Sequence, residues 1–422
     1  MKIIKIKDLN EKIYELTFTN GFKCFVYKSK LNREVRLSLV VKYGSEDTKF
    51  MVDNKKYEVP NGIAHFLEHI IFNEDDNNTA FDYFEKQSSY VNAYTTFDRT
   101  VYIVDCSLNK KDNLDHLLKF VCTFFFSEKL IEKEKPIIIE EAKSSLDNPY
   151  LDGYQRLINN AFYYNKKKNL ITGSPEDIKK ITSSDLKLIH KTFYHPKNMF
   201  LVISGDVNVK EIKKSIDGFF DNIKFDNYLN PEIIKEKEPE NIKKAIEIKK
   251  TNVINKRLLL GFKIHIKHFK MTKLVLLIYI NLLLDINFSE TSSFNKKLIN
   301  NYISDNLYYS ADLLDDYCFI LFECSPKDVE KTSKLIIDKF YNMKVDKKDF
   351  NRKIKSKIAC MILDYEVPNK VNEDIIYDII KHDQIINNYK ELYENLNIDI
   401  AKKVAKIFKK SESNKIILIP KS

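Results

Sequence analysis

The chain has 422 residues, 44% of them hydrophobic, and its 70 Lys and Arg outnumber 60 Asp and Glu for a net charge of +10. At roughly 100–200 residues per domain this length suits two or three domains, and the apolar fraction excludes a disordered chain. The positive charge is lysine spread over nearly the whole sequence, with no compact basic block interleaved with aromatics, so it reads as solvated surface rather than a nucleic-acid groove.

The N-terminal stretch MKIIKIKDLNEKIYEL has neither the apolar run nor the small-residue cleavage site of a signal peptide. None of the six cysteines forms a C-x-x-C pair, and each sits in an apolar or mixed run. Reduced core thiols and a cytoplasmic location are the expectation. Residues 14–18 lead through Asn20-Gly21 into FKCFVY as a hairpin, and residues 36–43 form a further strand closed by Gly44-Ser45. Pro60-Asn61-Gly62 then punctuates the chain, with Asn61 expected to cap a helix over IAHFLEHIIF. Strands are expected at 90–96 and 100–105, and helices at about 112–125 and 127–146, the latter kinked at Pro136. A helix from Ser183 or Ser184 stops at His195-Pro196. The strand MFLVISG, the Gly205-Asp206 turn and a helix through Phe220 follow.

Residues 224–245 are charged, carry Pro231 and Pro239, and read as a linker. The pattern then restarts with a strand at 256–264, helices at 272–287 and 293–301, strands at 307–311 and 316–324, and a helix at 326–341. Long helices and a last strand, KIILIP, close the chain. The apolar run Leu274 to Leu284 is too short to span a bilayer and reads as a buried helix. The repeated order predicts an α+β protein of two tandem homologous domains, each a mostly antiparallel sheet flanked by helices. Its expected boundaries are 1–224, a linker at 225–245, and 246–422. Beyond Gly218 the chain holds one glycine, Gly261, so the second half is poor in backbone that can approach a ligand closely. Chemistry is therefore expected in the first half.

His65-Phe66-Leu67-Glu68-His69 is an H-x-x-E-H motif. On a helix, residues i and i+4 share a face, so both imidazoles can address one ion while Glu68 lies beside it as general base. From this chain's own usage of His and Glu, a chance match has odds of roughly one in a hundred. A catalytic zinc takes three protein ligands and keeps an open position, in which the pKa of water falls to about 7. The third ligand is expected from Glu140-Glu141, which follow an apolar run. Adjacent helix residues point about 100° apart, so one of the two can face the metal, and spacing does not choose between them. Glu134, two turns before Glu141 on the same face, suits a carboxylate that hydrogen-bonds a ligand. Tyr90 to Thr96 reads as a strand with polar residues available to a peptide, which a protease commonly binds as an added strand. An N/N/O ligand set also accepts divalent metals other than zinc. The remaining histidines, including the His265/His268 pair, read as surface or packing residues, and no Ser-His-Asp elbow, Walker loop or dinucleotide fingerprint is present.

Through NGFKCFVY, YGSEDT, NGIAHFLEHIIF, VNAYTTFDRT, EKEKPIIIEEAKSSLDNP and FYHPKNMFLVISGDV the chain resembles the pitrilysin/insulinase (inverzincin) metallopeptidases, which include the mitochondrial processing peptidases. It is most similar to the bacterial YmfH-type branch. The resemblance implies that Glu141 is the third zinc ligand and Glu134 its supporting carboxylate, with one zinc per chain. It implies that Asn92, Ala93, Tyr94 and Thr95 belong to a substrate-pairing edge strand. It also implies a second pair of domains, in one chain or two, closing around an unfolded peptide. Active relatives hold the substrate carbonyl with an Arg and a Tyr seven apart. Here Tyr309 matches the Tyr, but Tyr302 stands where Arg is expected. A zinc-less partner subunit supplying both is the implied remedy, with short or unfolded peptides as substrates and leader-peptide removal or peptide maturation as the task. The alternative is a non-catalytic peptide-binding or structural subunit of the same fold.

Overall fold

Strands Lys23–Lys28, Val35–Val41 and Met199–Gly205 are apolar and buried at nearly every position, which demands cover on both faces of their sheet. A computed structural model describes residues 1–7, 9–29 and 34–421 and shows how that cover is supplied.

The first sheet has seven strands in the order Lys2–Lys5, Lys12–Thr17, Lys23–Lys28, Met199–Gly205, Val35–Val41, Thr100–Cys106, Tyr90–Thr95. All neighbours are antiparallel except Lys23–Lys28 with Met199–Gly205. The second sheet runs Ile246–Thr251, Glu412–Pro420, Arg257–His265, Tyr317–Cys324, Tyr308–Leu314, again antiparallel except for its first pair. Numbered by chain position within each half, this order is first, last, second, fourth, third, and the first sheet repeats it from Lys23–Lys28 onward with the same senses. Two copies of one α+β arrangement are present, as the repeated sequence pattern predicts. The hairpin Lys2–Lys5/Lys12–Thr17 extends the first copy alone.

The compact units do not follow the sequence halves. One comprises Met1–Lys143, Asn169–Lys235 and Met361–Asn388, the other Ser144–Lys168, Glu236–Cys360 and Tyr389–Ser422. The continuous division at 225–245 misses a reciprocal exchange of helices. Helix Pro149–Ala161 buries Leu157, Ile158 and Ala161 against Leu259, Phe319 and Leu418 of the second sheet. Helix Pro368–His382 buries Val371, Ile375, Ile376 and Ile379 against Phe25, Val40, Val101 and Phe200 of the first. Each fully buried aliphatic side chain contributes about 1.5–3 kcal/mol, so neither sheet can leave this face bare. The linker is itself divided. Glu232–Ile233 pairs with Lys49–Val52 in a small sheet completed by Lys55–Glu58. In the other unit Glu238 accepts from the amides of Tyr163 and Tyr164 at 2.9 and 2.8 Å and from Lys263 Nζ at 2.8 Å.

The run Leu274 to Leu284 lies in helix Lys273–Phe288, which buries Leu276, Ile280, Leu283 and Leu284 in the core of its unit, as expected. Helix Glu128–Asp147 continues through Pro136. Asn61 is not the cap of helix Ile63–Ile71; that position falls to Gly62, with no side-chain cap. Asn61 instead donates to Asp177 Oδ2 at 3.3 Å and accepts from Asn169 Nδ2 at 2.9 Å, tying the helix entry to the 169–177 segment.

Candidate active site

Gly62 enters helix Ile63–Ile71 with φ +86°, and a Cβ there would stand 2.2 Å from Thr172 O. Gly173, at φ +77°, returns the contact, since its Cβ would stand 2.5 Å from Asn61 O. Glycine at both positions lets the two backbones touch and fixes where the helix begins. Ile63, Ala64, Phe66, Leu67, Ile70 and Ile71 are buried, and His65 and His69 share the remaining stripe with ring centroids 4.7 Å apart. Asn73 Nδ2 donates to the carbonyls of His69 and Ile70 at 3.3 and 3.2 Å, closing the far end of the helix.

Helix Glu128–Asp147 meets this stripe along one face at helical spacing, with Ile131, Ile138 and Ala142 buried and Glu134 and Glu141 between them. Glu141 Oε1 lies 3.5 Å from His65 Nε2 and its Oε2 3.7 Å from His69 Nε2. One ligand atom from each of His65, His69 and Glu141 lies within 4.8 Å of the other two. Glu134 Oε1 is 3.0 Å from His69 Nδ1. Glu140 points elsewhere: its side chain is 71% exposed and pairs with Lys143 at 2.5 Å. Geometry thus separates two carboxylates that spacing leaves equivalent.

The electrostatics suit a cation. Burial, then the neighbouring His69 charge, push the His65 pKa down to about 3, so its imidazole is neutral with a lone pair to offer. Burial alone would lower His69 too, but the Glu134 hydrogen bond and the charges of Glu68, Glu134 and Glu141 outweigh it and raise the pKa. With Nδ1 of His69 committed to Glu134, Nε2 is the atom left to face Glu141. Two imidazole nitrogens and a carboxylate, with no fourth protein group among the described residues of the cluster, fit a divalent ion of the zinc type. Glu68 is 7% exposed, and burial raises its pKa against the pull of a hydrogen bond from Thr95 Oγ1 to Oε2.

Strand Tyr90–Thr95 is the last strand of its sheet, and among the described residues it pairs with Thr100–Cys106 alone. Val91 and Ala93 pack on the same core as helix Ile63–Ile71, and Thr95 reaches Glu68. Asn92 is exposed, with Nδ2 donating to Tyr90 OH at 2.8 Å. Tyr94 points to the opposite face, where its hydroxyl donates to Glu373 Oε2 at 2.9 Å. Its side chain is therefore not part of the His65/His69/Glu141 group. Tyr309 belongs to the other compact unit. Its hydroxyl donates to Asp285 Oδ1 at 2.7 Å, and burial with that bond pushes its pKa up. Asp285 also pairs with Lys357 at 2.7 Å. Tyr302 is 74% exposed at φ +52°, with the Lys327 ammonium 5.1 Å from its ring. Sequence reasoning places Thr95 on the edge strand but misses its bond to Glu68. Period-2 alternation groups 91, 93 and 95 on one face without saying which helix that face meets.

Residues 24–176 match the description "Insulinase (Peptidase family M16)", and residues 180–357 match "Peptidase M16 inactive domain". The protein named "Uncharacterized zinc protease YmfH" from Bacillus subtilis is 34% identical over 327 residues, 76% of this chain and 75% of that one. The chain belongs to the insulinase (M16) peptidase family. A mitochondrial-processing peptidase subunit beta of Caenorhabditis elegans is 30% identical over 171 residues, 40% of this chain and 37% of that one. The crystal structure of a protease from Helicobacter pylori superposes with a TM-score of 0.82 at 21% identity, covering 97% of this chain and all of that one, and supports the fold alone. The assignment agrees with the α+β architecture and with the resemblance carried by the motifs of the first half.

Proposed function

We propose that the chain is the catalytic subunit of a zinc endopeptidase that hydrolyses short or unfolded peptides together with a homologous, zinc-less partner. The observation that carries this reading is the convergence of His65, His69 and Glu141 beside Glu68, with Glu134 behind His69. A zinc ion held there supplies Lewis acidity, acidifying a water and polarising the scissile carbonyl. Glu68 is the general base: Oε2 is held by Thr95, and Oε1, which has no partner among the described residues, takes the proton of the attacking water. Glu134 keeps His69 in the tautomer that offers Nε2. The edge of Tyr90–Thr95 away from Thr100–Cys106, with Asn92 and Ala93 at its centre, pairs with the peptide backbone, which gives sequence-tolerant binding.

The partner follows from a deficit. Tyr309 is engaged by Asp285, and Tyr302 stands in place of the expected Arg, so a second subunit supplies the groups that hold the substrate carbonyl. The similarity to a protein named as a processing-peptidase subunit favours the same arrangement. Leader-peptide removal or peptide maturation is the task we assign. The six cysteines are all free, five of them buried, which suits a reducing cytoplasm. The test is cleavage of an unstructured quenched peptide by the chain alone and with a zinc-less homologous subunit carrying the Arg/Tyr pair. Cleavage that needs both chains supports the proposal. Zinc binding with no hydrolysis in any partner's presence would favour the alternative, a non-catalytic peptide-binding or structural subunit.

A further inference from the structure

We propose that Thr95 is a positioning residue for Glu68, so that the strand offered to the peptide also fixes the general base; this rests on the reading of Glu68 as that base. A carboxylate that is 7% exposed needs a donor inside the fold, and the Thr95 hydroxyl is the donor on Oε2. Thr95 is itself 9% exposed and ends strand Tyr90–Thr95. Its register partner across the sheet is Thr100, fully buried, with its hydroxyl oxygen 3.4 Å away. Thr100 spends its own proton on Tyr43 O at 3.1 Å. The Thr95 proton is therefore directed at Glu68, and β-branching leaves its side chain few other rotamers. Pinning Oε2 turns Oε1 toward the reacting water. Peptide pairing along residues 90–95 sets where the scissile carbonyl lies, and Thr95 at the end of that strand sets where the base lies. One rigid element then fixes the distance between them, which is the condition for a near-attack geometry.

Because the Thr95 side chain touches the base and not the peptide, its loss falls on the chemical step and not on binding. The variants are Thr95→Val, which keeps the shape and removes the hydroxyl, and Thr95→Ser, which keeps the hydroxyl. In the zinc-loaded enzyme with its partner, Thr95→Val is expected to lower kcat by about ten- to a hundredfold with KM changed by less than about twofold. Thr95→Ser is expected to retain most of the rate. In the metal-free chain, denaturation midpoints of Thr95→Val, Glu68→Ala and the double variant are expected to be non-additive, since both substitutions remove the same bond. Should Thr95→Val not fold, Thr95→Cys, a weak donor of similar size, is expected to show the same kcat loss. An unchanged kcat in the folded variant, a loss confined to KM, or additive midpoints would overturn the inference. A Glu68→Gln enzyme that still cleaves would overturn the underlying reading instead.

Discussion

Helix Ile63–Ile71 and helix Lys273–Phe288 occupy the same place in the two copies of the fold, each following the second strand of its copy. The second is a core helix without chemistry. It buries Leu276, Ile280, Leu283 and Leu284, and its buried Asn287 is fully engaged, donating to Leu283 O and Lys344 O and accepting from Lys339 Nζ and Lys344 N. The first helix is buried over most of its length yet carries His65, Glu68 and His69. Among the described residues His65 Nδ1 is buried without a hydrogen-bond partner, and Glu68 is held by one hydroxyl. The fold therefore closes at this position with its polar groups hydrogen-bonded or ion-paired, and those of the first helix carry a desolvation cost that packing does not explain. A local departure of this kind from what the architecture needs marks a site.

The largest expected effect comes from erasing the difference. With His65, Glu68 and His69 replaced together by Leu, the first helix takes on the character of the second. Metal binding should vanish, while the melting temperature of the metal-free chain stays level or rises. An unfolded triple variant would break the comparison, because the polar residues would then be structural. Next comes the choice between adjacent carboxylates. Glu141→Gln should strip most of the metal at a fixed chelator concentration, and Glu140→Gln, exposed and paired with Lys143, should leave the affinity unchanged. Smaller again is Glu134→Gln, which removes the acceptor on His69 Nδ1 but no ligand. Supporting groups of this kind are worth about 10–100-fold in metal affinity, read by competition with a chromophoric chelator.

A separate expectation, read in stability and not in metal affinity, concerns the turns that leave the second strands. After Arg257–His265 the chain stays partly exposed, whereas after Val35–Val41 it buries Asp47, whose Oδ2 accepts from Gly44 N at 2.9 Å. Burial, then repulsion from Glu46, raise the Asp47 pKa from its ordinary 3.8 to about 8. A carboxyl protonated in the folded chain and ionised in the unfolded one gives stability that is fully present below about pH 4. That contribution is lost as pH rises through the folded value. Thermal melts of the metal-free chain should fall between about pH 5 and about pH 8, and Asp47→Asn should flatten that trend. An identical slope in the variant would place the titration elsewhere.

Much of this was readable from residues. Strands at Val35–Val41 and Met199–Gly205 announce themselves as β-branched runs closed by glycine, and H-x-x-E-H at helical spacing puts two imidazoles on one stripe. What the sequence withholds is which surfaces meet. Helix Pro149–Ala161 is amphipathic, but nothing in its pattern says that its apolar face covers the sheet built from the other half of the chain. Asn61 has the chemistry of a cap and loses the position to Gly62, because the close approach of Thr172 requires a residue without Cβ. Glu140 and Glu141 differ by 100° about a helix axis, a distinction visible once the partner helix is in place. The bond between Thr95 and Glu68 joins residues 27 apart and depends on the register of an edge strand.

The most direct test of the central claim is metal content together with partner-supported peptide cleavage, for the wild-type chain and for Glu68→Gln. The account predicts one zinc per chain in both proteins and cleavage in the wild type alone. A wild-type chain that takes up no metal, or a Glu68→Gln chain that cleaves at the wild-type rate, would contradict it.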